Sequence, residues 1–201
     1  MSYHLKSPMP PVVSVICSNC GEYAEFEHAT IQTIKKNSDV DFFKKSSFFE
    51  FQDAQGLPGY AIYYPRLGRN LENLENLPDG YEKKAWSHNQ YWRHRSGDMG
   101  VIQCNSCSKR RKHNLKWPDD AYFKVDYKDD WLWAFDRKTA RLLLDYISSG
   151  DRNKTITGYT DAKTHKIEIK GYHSFLLKIP EIFQTKKARP KLVKKLTKIL
   201  S

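Results

Sequence analysis

The stretches Cys17-Ser18-Asn19-Cys20-Gly21 and Cys104-Asn105-Ser106-Cys107-Ser108 contain all four cysteines of this 201-residue chain. In each pair two residues separate the cysteines, and this gap allows one tight turn to direct both sulfurs at the same point. The Ser-Asn and Asn-Ser dipeptides favour turns, and Gly21 suits a turn position with a positive φ angle. Two such turns supply the four ligands of a tetrahedral site. The sequence therefore predicts one metal ion held by Cys17, Cys20, Cys104 and Cys107.

The four thiolates favour zinc, bound as a structural ion. Disulfides need an oxidising compartment, and nothing in the sequence indicates secretion. A redox-active CxxC motif normally occurs once, at the start of a helix, whereas this motif occurs twice with matching turns. An iron–sulfur cluster remains the alternative. Because four thiolates close the coordination shell, we expect no catalysis at the metal and no small-molecule cofactor.

The distance between the pairs predicts how the chain is organised. The 83 residues between Cys20 and Cys104 far exceed the usual spacing of a zinc ribbon, so the two turns must meet across an insertion. We expect a zinc-binding domain over residues 1–120 that contains a large insertion at about 28–100. Residues 121–201 then form a region of hairpins and helices packed on the first domain.

The two cysteine motifs resemble the knuckles of the broad zinc-ribbon and treble-clef group. The resemblance covers about ten residues in two places, 17–21 and 104–108. Members of that group are mostly adaptors for nucleic acids or proteins. The resemblance implies a zinc-stabilised binding protein rather than an enzyme.

Residues 104–110 also resemble the end of the motif found in HNH nucleases, some of which use a treble-clef scaffold with two CxxC pairs. That group requires an Asp-His pair on a strand and a downstream Asn or His that holds a catalytic metal. Here His88 and His94 lack that setting, and the Asn before the second pair is missing. Nuclease activity is therefore the least favoured interpretation.

Hydrophobic periodicity predicts an α+β fold. Strands are expected at 12–16, 22–27 and 60–64, after a turn at 56–59, and a strand at 101–102 leads into the second cysteine pair. Aromatic-rich strands at 122–127 and 131–135 predict one hairpin, and 154–159 with 166–170 predict another. Asp136 is expected to cap a helix that ends before Gly150. Pro190 begins an amphipathic C-terminal helix whose apolar face is Leu192, Val193, Leu196, Ile199 and Leu200.

The net charge of +11 is unevenly distributed. Residues 1–100 contain 11 Lys and Arg against 12 Asp and Glu, whereas residues 101–201 contain 23 against 11. An excess of positive charge in one half of a chain is typical of a protein with an anionic partner, most often a nucleic acid. A basic but merely soluble protein is the alternative.

Three basic segments are candidate nucleic-acid-binding sites. The first follows the second cysteine pair and contains Lys109, Arg110, Arg111 and Lys112. The second interleaves cations with aromatic residues, as single-stranded nucleic acids require, and contains Lys83, Lys84, Trp86, Trp92, Arg93 and Arg95. The third lies in the C-terminal region and contains Lys186, Lys187, Arg189, Lys194 and Lys198. Each segment also has a structural interpretation: cations that offset the thiolate charge, a loop anchored by its aromatics, and a solvated helix face.

These features predict a zinc-stabilised, basic protein that binds DNA or RNA with little sequence specificity. The alternative is a protein–protein adaptor or regulatory subunit that uses the C-terminal helix and exposed aromatic residues. No stretch approaches the roughly 18 apolar residues that span a bilayer, and the N-terminal region has no apolar run of signal-peptide length. We therefore expect a cytoplasmic protein in a reducing compartment, with no membrane span.

Overall fold

The structure is a computed structural model that describes residues 9–67, 74, 76–86, 98–149, 176 and 179–201. Within these residues the chain forms nine antiparallel strands and three α-helices, which confirms the predicted α+β fold. Contacts divide the described residues into two compact units, one over Pro11–Lys116 and one within Trp117–Ser201. No helix in the described part of the chain is long and apolar enough to cross a membrane.

Seven strands belong to the first unit and two to the second. The strands are β1 (Val12–Ile16), β2 (Tyr23–His28), β3 (Thr30–Thr33), β4 (Phe49–Ala54), β5 (Leu57–Tyr63), β6 (Met99–Gln103), β7 (Arg110–Asn114), β8 (Phe123–Tyr127) and β9 (Asp130–Ala134). The α-helices are α1 (Val40–Lys45), α2 (Arg137–Ser148) and α3 (Arg189–Leu200).

A four-stranded antiparallel sheet in the order β1-β2-β6-β7 is the frame of the first unit. β1 has the bounds predicted from its apolar residues, and β2 begins one residue later than predicted because Glu22 belongs to the preceding turn. Val13, Phe26 and Ile102 lie side by side on one face of this sheet, and all three are buried. Among the described residues β7 pairs with β6 alone, so it is an edge strand of this sheet.

The chain between β2 and β6 forms a second antiparallel sheet in the order β3-β5-β4. Its core is an aromatic cluster around Trp86, whose side chain is fully buried. The rings of Phe49 and Trp86 lie 4.7 Å apart, and Phe43 contacts Phe49 edge-to-face at 5.0 Å. The phenylalanine-rich segment, for which we predicted no particular element, contributes α1 and β4 to this core.

The turn between β4 and β5 differs from the prediction, because β5 already begins at Leu57 rather than at Tyr60. The pairing register shifts between Gln52 and Ala54, and this irregularity accommodates Pro58, which has no N–H to donate. At Gly59 the φ angle is +128°, and a Cβ atom there would lie 2.6 Å from the ring of Phe51. A glycine is therefore required at this position, and the strand continues through it.

The described part of the second unit contains the β8–β9 hairpin, α2, a short 3-10 turn at Glu181–Gln184 and α3. A two-residue turn joins the strands, and both of its residues, Lys128 and Asp129, have positive φ angles as a type I′ turn requires. Asp136 caps α2 as predicted: its carboxylate accepts from the N–H of Thr139 at 2.7 Å, and Thr139 Oγ1 accepts from the N–H of Asp136 at 2.9 Å. The second predicted hairpin, at 154–159 and 166–170, lies outside the described residues.

Candidate functional site

The two cysteine motifs form matching turns at the tips of two hairpins. One turn joins β1 to β2, and the other joins β6 to β7. In the first, the backbone N–H of Cys17 donates to the carbonyl of Glu22 at 2.8 Å. In the second, the N–H of Cys104 donates to the carbonyl of Lys109 at 2.9 Å. In both turns this hydrogen bond joins residues five positions apart, so each turn presents its two sulfurs in the same way.

The pairing of β2 with β6 brings the two turns together. These strands run antiparallel, and Glu25 near the start of β2 lies opposite Gln103 at the end of β6. The first turn precedes β2 and the second follows β6, so both turns lie at the same end of the sheet. Cysteines 84 and 90 positions apart in the sequence thus become neighbours.

The four sulfurs form one compact cluster and can hold a metal ion. All four Sγ atoms lie within 4.8 Å of one another. The distances are 3.8 Å between Cys17 and Cys107 and 3.6 Å between Cys20 and Cys104, whereas a disulfide requires about 2.05 Å. Cys17 and Cys104 are buried, and Cys20 is exposed at the outer side of the cluster. The structure therefore confirms that the predicted ligands meet at one point.

Their surroundings shift the pKa values of the Cys17 and Cys20 thiols in opposite directions. Burial opposes ionisation of Cys17, but hydrogen bonds from the backbone N–H groups of Asn19 and Cys20 lower the pKa of its thiol to about 6. At Cys20, the backbone of Glu22 favours ionisation. Partial desolvation and the neighbouring cysteines outweigh it and raise the pKa of Cys20 to about 12. A positive ion at the centre would offset the repulsion among the four thiolates.

A hydrogen bond links the two turns on their outer side. Lys109 Nζ donates to the side-chain oxygen of Asn19 at 2.7 Å, so a residue of the second turn contacts one inside the first. This contact holds the two halves of the cluster together, and it places one positive charge next to the thiolates. Lys109 therefore has a structural role in addition to any role in binding.

The basic segment after Cys107 is the edge strand β7, which divides its cations between two faces. Side chains alternate along a strand, so Arg110 and Lys112 lie on one face and Arg111 on the other. Lys112 forms an ion pair with Glu50, and its Nζ lies 4.5 Å from the ring centroid of Tyr64. Burial and the carboxylate of Glu50 raise the pKa of Tyr64 to about 12. Arg110 and Arg111 remain exposed.

The second predicted segment is only partly described. Lys83 and Lys84 are exposed in a 3-10 turn, and Lys84 pairs with Glu82 at 2.8 Å. Trp86 is buried in the aromatic core, so the structure does not support the base-stacking role that we predicted for it. The remaining predicted residues of this segment, together with two of the histidines, lie outside the described residues; they are Trp92, Arg93, Arg95, His88 and His94. His113 packs edge-to-face against Phe26 at 6.1 Å.

The C-terminal segment exposes most of its positive charge. Lys186 and Lys187 are exposed before α3, and Lys191, Lys194 and Lys198 are exposed along it. Arg189 differs, because it is half-buried and its Nε atom has no hydrogen-bond partner among the described residues. Leu192 and Leu196 are buried on the opposite side of the helix, which confirms the predicted amphipathic pattern.

Sequence reasoning missed Trp131, which is 44% exposed on β9 with Lys124 Nζ 5.0 Å from its ring centroid. The sequence of β9 contained a signal for the exposure of Trp131. Side chains alternate along a strand, so Trp131 and Trp133 lie on the face opposite Leu132 and Ala134. The two tryptophans occupy equivalent sequence positions. Trp133 is buried against Trp117 and Phe135, each with its ring centroid 5.2 Å away, whereas Trp131 is exposed.

The chain was compared with family models, with curated proteins and with solved structures. None of the three comparisons found a match.

Proposed function

We propose that the four cysteines hold one structural zinc ion. In a tetrahedral zinc site with Zn–S bonds of about 2.3 Å, neighbouring sulfurs lie about 3.8 Å apart. The distances of 3.8 and 3.6 Å fit that geometry. Clusters of several irons hold their cysteines around separate metal atoms and need a wider arrangement than four sulfurs within 4.8 Å. Four sulfur ligands leave no open position, so the ion stabilises the fold and takes no part in chemistry.

The zinc would fix the end of the four-stranded sheet. With zinc bound, four thiolates and Zn²⁺ carry a net charge of about −2. Lys109, Arg110 and Arg111 follow the last ligand directly and reduce that charge by proximity. These three cations would therefore offset the charge of the metal centre, and all three are exposed and open to an anionic partner.

We propose further that the protein binds nucleic acid, and that the second unit supplies much of the contact. The observation that carries this proposal is the exposed lysine run of the C-terminal segment. No acidic residue occurs in residues 182–201, whereas five lysines there are exposed: Lys186, Lys187, Lys191, Lys194 and Lys198. A solvated helix in a soluble protein normally mixes both signs of charge. A surface of one sign matches the phosphate backbone.

The spacing of these lysines suits a row of phosphates. Lys191, Lys194 and Lys198 follow each other at intervals of three and four residues, so they share one face of α3. At about 1.5 Å rise per residue, the three ammonium groups are spread over roughly 10 Å along the helix. That length corresponds to about three nucleotides of one strand. Such contacts read charge rather than bases, and this agrees with the weak sequence specificity predicted above.

The experiment that tests the proposal is the salt dependence of oligonucleotide binding, measured by fluorescence anisotropy with the metal-loaded protein. The test variant replaces Lys191, Lys194 and Lys198 with Gln, which removes three charges and preserves helix propensity. The matched control replaces Lys36, Lys44 and Lys45, three exposed lysines of the other unit, and removes the same charge. For single strands, loss of three phosphate contacts reduces the slope of log K against log salt by roughly 2.

A control that loses as much affinity as the test variant would mean that net charge alone governs binding. Absence of binding to any oligonucleotide at low salt would overturn the nucleic-acid proposal and favour the adaptor role. Metal analysis of the same preparation, with its visible spectrum, distinguishes colourless zinc from coloured iron sites.

A further inference from the structure

We infer that Trp131 and the neighbouring lysine face of α3 form one binding surface for single-stranded nucleic acid. This inference rests on the proposed nucleic-acid function and adds to it a base-stacking residue that the basic segments do not include. The outer face of the β8–β9 hairpin would hold a base, and α3 would hold the phosphates next to it. The ligand class is a single-stranded polynucleotide, either DNA or RNA.

The exposure of Trp131 sets it apart from the other described tryptophans. Trp86 and Trp133 are buried, and Trp117 is partly covered, with its ring stacked on Phe135 at 5.5 Å. Trp131 has 44% of its surface exposed, although Trp133 of the same strand is buried. One exposed aromatic residue is ordinary in itself, so the inference depends on what surrounds it.

One cation lies against the ring of Trp131, and a second lies against its cross-strand partner. Lys124 Nζ lies 5.0 Å from the centroid of the indole ring, within cation–π distance. Asp126 is the cross-strand partner of Trp131, so the two side chains are neighbours on one face of the hairpin. Lys195 of α3 reaches that same aspartate, with Nζ 2.8 Å from its carboxylate and 2.9 Å from its backbone oxygen. The contact places α3 beside β8, the strand that pairs with the one carrying Trp131.

The position of Lys195 fixes which face of α3 adjoins the hairpin. Lys191 lies one turn before it and Lys198 one turn after it, so both share its side of the helix. Both are exposed. Lys195 neutralises Asp126, and its pairing lowers the pKa of that carboxyl, so the aspartate remains ionised and paired. The side of α3 that contacts Asp126 of β8 is therefore cationic.

The acidic residues of the hairpin favour one path for a bound strand over the surface. Asp129 and Asp130 lie at the turn between the strands and outnumber Lys128 in the same turn, and Asp129 is exposed there. A phosphate chain would be repelled from that end. A strand that stacks a base on Trp131 would therefore leave it toward α3, across the neutralised pair of Asp126 and Lys195. Aromatic faces beside cations bind single strands, because the bases of a duplex are already stacked on each other.

The test compares Trp131→Ala, Trp131→Phe and the wild-type protein in binding oligothymidylate, oligouridylate and a duplex of equal length. Replacing a stacking residue costs roughly 5- to 100-fold in affinity for single strands. We expect that loss for Trp131→Ala, a partial recovery for Trp131→Phe, and little change toward the duplex. The salt slope should stay at its wild-type value, because the phosphate contacts remain.

Intrinsic fluorescence provides an independent readout. Wild-type fluorescence should fall when a base stacks on the exposed indole, and this quenching should disappear in Trp131→Phe. Comparison of the two homopolymers identifies whether DNA or RNA binds more tightly. If the wild type binds with a steep salt dependence but Trp131→Ala binds equally well, the inference is wrong and the nucleic-acid function stands. If the wild type binds no oligonucleotide, the proposed function itself fails.

Discussion

Gly21 and Ser108 occupy the same position in two matching turns, directly after the second cysteine of each pair, and both have positive φ angles, of 79° and 55°. The same type of hydrogen bond closes both turns, so the backbone demand at the two positions is the same. Glycine meets it without strain, whereas serine in the left-handed region carries a cost of roughly 1–2 kcal/mol. The two halves of the metal centre are therefore alike in geometry but unequal in strain.

The first prediction follows from this inequality. Ser108→Gly should stabilise the metal-loaded protein by about 1 kcal/mol, because it removes the left-handed strain. Gly21→Ala should destabilise it by about 1–2 kcal/mol. A Cβ atom at Gly21 meets nothing within 4 Å, so the second effect is conformational and not a steric clash. Denaturant unfolding of both variants measures the two changes, and effects of the same sign would contradict the assignment.

The second prediction concerns removal of the metal. A chelator should lower the thermal midpoint of the first unit strongly, because structural zinc sites are worth on the order of 10 kcal/mol in small domains. Cys20→Ser and Cys107→Ser should each release the metal, whereas Ser18→Ala, between the ligands, should retain it. The metal content after dialysis and the melting curve report the two effects. A melting curve that the chelator leaves unchanged would show that the sheets, not the metal, hold the turns together.

The third prediction concerns Arg66, which follows β5 and pairs with two carboxylates of β2. Its guanidinium lies 2.6 Å from Glu25 and also bonds Glu27. Burial lowers the pKa of Arg66, but the hydrogen bonds and charges of the two glutamates outweigh it and raise the pKa above its ordinary value. Arg66→Met would leave Glu27, whose side chain is only 13% exposed, without this partner. We expect a loss of about 2 kcal/mol in the free energy of unfolding.

Lys45→Met is the matched control for Arg66. The ion pair between Lys45 and Asp41 spans 4.0 Å, and both side chains are about 80% exposed. Such a pair contributes less than about 0.5 kcal/mol. Urea unfolding of both variants gives the comparison, and a control that loses as much stability as Arg66→Met would refute the role of the half-buried pair.

The fourth prediction concerns the start of α2. Asp136→Ala removes the carboxylate that accepts from the N–H of Thr139, and it should destabilise the second unit by about 1 kcal/mol. Asp136→Asn should recover most of that loss, since asparagine also caps helices. Asp145→Ala, at an exposed position on the same helix, is the control for helix propensity and charge. Circular dichroism during thermal unfolding follows all three variants, and equal melting of Asp136→Ala and the wild type would exclude the capping contribution.

Local signals predicted the regular elements that depend on local chemistry. The apolar run of β1, the aromatic-rich strands of the β8–β9 hairpin, the cap at Asp136 and the periodicity of α3 all act within a few residues. β7 carried no such signal, because its sequence is Arg-Arg-Lys-His-Asn. It is a strand because β6 offers it a partner, and pairing of that kind is a property of the fold rather than of the segment.

The candidate site, like the fold, could be predicted from the sequence only where it depends on local signals. Each cysteine pair was recognisable from its spacing, whereas the meeting of the pairs depends on the register of β2 against β6. Interleaved aromatic and basic residues predicted a nucleic-acid contact at Trp86, but the pattern is the same whether the indole faces solvent or core. Trp86 packs against Phe43 and Phe49, residues from a segment some 40 positions earlier, and that contact could not be deduced locally.

The register that joins β2 to β6 also sets the order of events when the chain folds. Cys17 and Cys20 emerge early during synthesis, but their partners lie 84 and 90 positions further on. Until β6 pairs with β2, the first knuckle offers a metal only two thiolates, and the closure of so long a loop carries an entropic cost. Folding of this unit is thus dominated by contacts between distant residues and should be slow for its size. The four-sulfur site is therefore complete only in chains whose residues between the two cysteine pairs have already folded.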